Sequence, residues 1–152
     1  MNKLLPLLFV AAIIAIAGCT TSSPPATQPS VTVTSAPATA VQGTPTPISW
    51  RVEAPAQQTT HTSVHFGPTA VPNPTKPSDY PSSSAYLSGA LPASFTSEIT
   101  PGFTGTLSYR AHVILADGTH VWSVEATLQV EPLPPELNND LAAAEQELDE
   151  AQ

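Results

Sequence analysis

Between residues 31 and 131, apolar side chains recur at every second position in several short runs. Val31 and Val33 begin the pattern. Ile48, Trp50 and Val52 alternate with Ser49, Arg51 and Glu53, and Thr62, Val64 and Phe66 alternate with His61, Ser63 and His65. A two-residue period sends one set of side chains to a buried face and the other to an open face, so these runs predict strands. Prolines and glycines interrupt them as they do in an all-β sandwich, for which about a hundred residues is the usual size.

Ala116-Asp117-Gly118-Thr119 lies between two alternating runs and predicts a hairpin with a two-residue turn, both of whose central residues take positive φ. Setting Ala116 against Thr119 places Leu115 opposite His120, Val113 opposite Trp122 and Ala111 opposite Val124. It also pairs Tyr109 with Ala126 and Leu107 with Leu128. In that register Trp122 belongs to the core beside Val113. The other face carries His112 opposite Ser123 and Arg110 opposite Glu125, an exposed ion pair. Pro68, Pro72, Pro74, Pro77, Pro81, Pro92 and Pro101 break the stretch between. They predict only short edge strands there, near 85–88 and 94–99.

Three of these runs resemble a known family. Ile48-Ser49-Trp50 followed by Pro55, then Thr62-Ser63-Val64-His65-Phe66-Gly67, then Leu107-Ser108-Tyr109-Arg110-Ala111-His112-Val113 are similar to strands B, C and F of a fibronectin type III-like or immunoglobulin-like domain. The resemblance implies a β-sandwich over 31–131, with Pro101-Gly102 at the corner between strands E and F. It makes Tyr109 a candidate tyrosine corner and sets strand F beside strand C. The cysteine pair that bridges the sheets of antibody domains has no counterpart here, because Cys19 is the only cysteine.

Cys19 has a different context. Lys3 precedes an apolar stretch from Leu4 to Ile16, interrupted by Pro6 and shorter than the roughly 20 residues that span a bilayer. Ile16-Ala17-Gly18-Cys19 resembles the lipobox of prokaryotic lipoproteins. That resemblance implies a signal peptide over 1–18, a diacylglyceryl group on the Cys19 thiol and export to the cell envelope. Thr20 after the cysteine implies the outer membrane where a cell has two. Residues 19–30 are rich in Ser, Thr and Pro and form a linker too polar to fold alone. Residues 132–152 make an acidic tail, partly helical, in which Leu137, Leu141, Ala144 and Leu148 recur at helical spacing. The tail is read as a frayed end, with weak self-association of the helix as the alternative.

The formal net charge is −8. Once Lys3 is removed, only Arg51, Lys76 and Arg110 are positive, which excludes a nucleic-acid role. Asp117 and His120 belong to the turn, and no nucleophile elbow, phosphate loop or metalloprotease helix is present, so no enzyme is expected. Metal and cofactor are likewise expected to be absent. His61 and His65, four positions apart on an open strand face, are expected about 13 Å apart, too far to share an ion. The leading expectation is a membrane-anchored, non-catalytic interaction module for an envelope protein, in binding or adhesion. A carbohydrate-binding module is the alternative, with Tyr80 and Tyr86 as surface aromatics. A histidine site built from His65 and His112 is the third reading.

Overall fold

The computed structural model describes residues 28–135. The signal segment, Cys19 and the tail helix expected from the sequence lie outside them. Eight strands follow in order: β1 (Ser30–Ser35), β2 (Thr39–Val41), β3 (Thr46–Gly67), β4 (Ser82–Ser83), β5 (Leu87–Ile99), β6 (Gly105–Ile114), β7 (His120–Trp122) and β8 (Ala126–Glu131). A single 3-10 turn, Pro77–Asp79, precedes β4.

β3 serves two layers. Its first half pairs with β1, Val33 opposite Trp50, and with β5, Trp50 opposite Phe95. Its second half pairs with β6, from His61 opposite Ile114 to Gly67 opposite Ser108, and with β4. β6 continues the second layer into β7 and β8, and β8 takes β2 as a parallel neighbour. Ile48, Trp50 and Val52 from one layer meet Val64, Phe66, Leu107, Val113 and Leu128 from the other in one core. The Trp50 indole N–H donates to Thr62 Oγ1 at 2.8 Å inside it, so the largest core ring has no orphaned polar atom. The chain is an all-β sandwich. Tyr109 lies in that core at 3% exposure, but among the described residues its hydroxyl makes none of the hydrogen bonds that mark a tyrosine corner.

Two expectations about strands are corrected. β5 is one strand of 13 residues rather than two short pieces. It passes through Pro92 because the pairing skips there, from Val52 opposite Ala93 to Gln57 opposite Leu91. Pro55 sits in the same gap, so two residues without an N–H share one irregularity where no ladder bond is needed.

The hairpin turn is also longer than expected. Leu115 N–H donates to Thr119 O, Gly118 N–H donates to Leu115 O, and Gly118 takes φ 83°. Asp117 keeps negative φ, since no non-glycine residue among those described is positive. This is a three-residue loop closed by a left-handed glycine, and Asp117 Oδ1 accepts from Thr119 N–H at 2.9 Å. One extra loop residue moves β7 by one register step, so Trp122 stands opposite His112 and Val121 opposite Val113. Ser123–Glu125 then bulge, and β8 resumes with Tyr109 opposite Ala126 and Leu107 opposite Leu128, as expected. The slip turns Trp122 away from the core and leaves Val124 at 80% exposure.

Candidate functional site

The outer face of β3 and β6 should be open to solvent in an isolated sandwich. Here Ser63, His65 and His112 are all buried on it, at 2% exposure or less. The cause is the proline-rich segment after Gly67, which folds back across the sheet. Val64 N–H donates to Ser84 Oγ, and Ser84 N–H donates to Val64 O. Gly67 permits the approach, because a Cβ there would lie 2.8 Å from the Pro81 ring. Asp79 Oδ2 accepts from Thr75 and Lys76 N–H and shapes the turn that delivers Tyr80; the same bonds lower the Asp79 pKa.

Arg110 pins the far end of the segment. Its guanidinium donates to Ser123 O at 2.8 Å, to Pro72 O at 3.1 Å and to Glu125 at 3.4 Å, while Glu125 also accepts from Val71 N–H. The expected Arg110–Glu125 ion pair therefore forms, but Arg110 is covered rather than exposed.

Under this cover lies a layer of rings. Trp122 stacks on His112 with centroids 4.0 Å apart and meets His65 edge-on at 5.3 Å. Tyr80 stacks on Trp122 at 5.9 Å. His112 stands edge-on to both His61 and His65, at 5.2 and 5.3 Å, and Tyr86 leans on His61 at 4.2 Å. His120 completes the group, its Nδ1 lying 3.0 Å from His112 Nε2. All four histidines of the chain thus meet in one place.

The expected His61–His65 separation of about 13 Å, from the strand rise, is corrected by the side chains. The two rings lie nearly parallel with centroids 6.0 Å apart, leaning toward each other over the small Ser63 between them. Ser63 Oγ is 2.8 Å from His65 Nε2 and 3.5 Å from His61 Nε2. One nitrogen from each of His61, His65 and His112 falls within 4.8 Å of the others.

Burial favours the neutral form of three of the rings, His61, His65 and His112. Desolvation, then the neighbouring His61, brings His65 down to about 4. Desolvation, then His65, His61 and His120, brings His112 to about 3. His61 is also lowered, by burial first and by His120 second. Tyr80 is pushed up by burial, with Arg110 opposing. Three buried polar atoms of the ring layer have no partner: Tyr80 Oη, His112 Nδ1 and Trp122 Nε1. Beside the layer opens a cleft of about 290 Å³, lined by His65, Tyr80, Tyr86, Pro77 and Pro81.

Of the residues singled out in the sequence, His65, His112, Tyr80 and Tyr86 are brought together. Tyr80 is not the surface aromatic expected, being 5% exposed under the folded-back loop, whereas Tyr86 is 60% exposed. His61, His120 and Trp122 belong to the same cluster; the two-residue turn assigned His120 and Trp122 to the core face, and the strand rise set His61 aside although it lay on the expected face.

No protein-family model matches the sequence, and no curated protein does. Among solved structures, the chain is similar to a fibronectin(III)-like module of CbhA from Clostridium thermocellum. The two are 22% identical over 66% of this chain and 93% of that one, with a TM-score of 0.45.

Proposed function

We propose that the chain is an exported lipoprotein, held at the cell envelope through Cys19, whose sandwich is a non-catalytic module that binds a protein partner. The observation carrying the binding reading is the cleft mouth. Tyr86 stands out from it, backed by His61 and facing the Pro77 and Pro81 rings. An exposed tyrosine over a preformed cleft is the kind of anchor that protein interfaces concentrate energy on. A glycan platform needs a second open ring, and the burial of Tyr80 removes it. The anchoring reading is supported by Ile16-Ala17-Gly18-Cys19 and by the Ser/Thr/Pro linker that follows. Two acyl chains hold a protein stably on a bilayer, at about 0.8 kcal/mol per buried methylene. In a cell with two membranes, Thr20 directs it to the outer one.

Fractionation of cells tests this reading. Cys19→Ala is expected to leave the membrane fraction or to accumulate unprocessed, and wild type but not Tyr86→Ser should retain the partner crosslinked in the membrane fraction. A Cys19→Ala protein that stays membrane-bound at the wild-type mature mass contradicts the anchor. Undiminished crosslinking by Tyr86→Ser contradicts the contact point.

A further inference from the structure

We propose that His61, His65 and His112 form a binding site for one late first-row divalent metal ion, copper(II) in preference to zinc. Three imidazoles from two strands already converge, one nitrogen of each within 4.8 Å of the others. With metal–nitrogen bonds near 2.05 Å, ligand nitrogens lie about 3.4 Å apart in a tetrahedral site and about 2.9 Å apart in the tetragonal geometry that copper(II) takes. The trio therefore has to close by at most about 1.4 to 1.9 Å. His61, half-buried at the edge of the cluster, is the ring free to make that movement, whereas His65 and His112 are fixed by packing.

A metal takes the neutral imidazole through one ring nitrogen and leaves the other free to hydrogen-bond. His112 Nε2 is engaged with His120 Nδ1, which leaves His112 Nδ1 buried without a partner. An orphaned imidazole nitrogen in a fully buried ring is costly, and coordination would satisfy it. His120 and Ser63 would then orient His112 and His65 by hydrogen bonds to their second nitrogens, as metal-binding histidines require.

The choice of ion follows from the ligand set. The cluster supplies imidazole without carboxylate or thiolate, which suits copper(II), nickel and zinc and disfavours magnesium and calcium. Among those, the affinity order for nitrogen sites peaks at copper(II). The site does not depend on the partner reading, since Tyr86 is not one of its ligands.

The test uses the full chain purified in detergent without a polyhistidine tag and stripped with a chelator. Titration with copper(II) and with zinc is expected to saturate at one ion per chain, with copper bound more tightly and magnesium not bound. The thermal midpoint should rise with the bound ion, because only the native state assembles the three ligands. The copper(II) electron paramagnetic resonance spectrum should show coupling to several nitrogens. His61→Ala removes a half-buried ring and is expected to fold yet to bind copper at least tenfold more weakly; His112→Asn should do the same. Failure to saturate, or His61→Ala binding as tightly as wild type, overturns the site. So does a copper spectrum that shows oxygen ligands alone.

Discussion

Acidification from neutral pH to about 4.5 should strip the domain of much of its stability. His65 and His112 have pKa values of about 4 and about 3 in the folded chain, both lowered chiefly by desolvation. In the unfolded chain each titrates near 6.5. Below that value the unfolded state binds protons that the folded state refuses, so stability falls as pH falls. The effect is absent above about pH 7, begins as pH drops through 6.5 and is complete only below the folded values. Each histidine contributes at most about 1.4 kcal/mol per pH unit, so the pair removes up to about 5 kcal/mol by pH 4.5, before any discount for solvent screening. That is comparable to the whole stability of a small domain. Among the described residues, the charges that lower the two rings are those of other histidines, which add to the penalty. Urea midpoints measured across this range check it, and a flat profile from pH 7 to pH 5 contradicts it.

The second large effect separates the two tryptophans. Trp50 has 0% exposure, stacks on Phe95 at 5.9 Å and spends its indole N–H on Thr62. Trp50→Ala should cost about 3–5 kcal/mol, as large aromatic truncations in cores do. Trp122→Ala should cost less, because Trp122 is only half-buried and lies outside the core. It should leave a different mark. Without the ring that stacks at 4.0 Å on His112, water reaches the histidines, their pKa values rise toward 6.5 and the acid sensitivity weakens. Denaturant titrations of both variants at neutral and mildly acidic pH distinguish the roles. Equal losses at neutral pH with unchanged acid slopes contradict this placement.

The sandwich was legible because its signal is periodic. Ile48, Trp50, Val52, Val64, Phe66, Leu107 and Leu128 are all buried in the core, each at a position that strict alternation marks. The pairs Tyr109–Ala126 and Leu107–Leu128 were also recoverable, since the turn error is cancelled by the Ser123–Glu125 bulge before β8 begins. The site was harder to read, for local reasons. A turn of two residues and one of three both accept Asp-Gly, and the choice decides which face Trp122 takes. Ser63 gave no warning that its size lets His61 and His65 fold toward each other. The burial of the outer face depends on a loop that returns across β3, and the visible hint was Gly67 followed by Pro68 and Pro81. Prolines announce an interruption of strand pairing; they do not say where the chain goes next.

His65 and His112 are the buried, neutral rings of the histidine cluster beneath Trp122 and Tyr80. Nuclear magnetic resonance of the imidazole nitrogens, followed from about pH 7.5 to pH 4.5, reads their protonation directly, ring by ring, against the unperturbed value near 6.5. The structure predicts that His65 and His112 keep neutral-ring shifts throughout the range in which the protein stays folded, and that both show ring contacts to Trp122. Two ordinary titrations near pH 6.5, with no contact to Trp122, would contradict it.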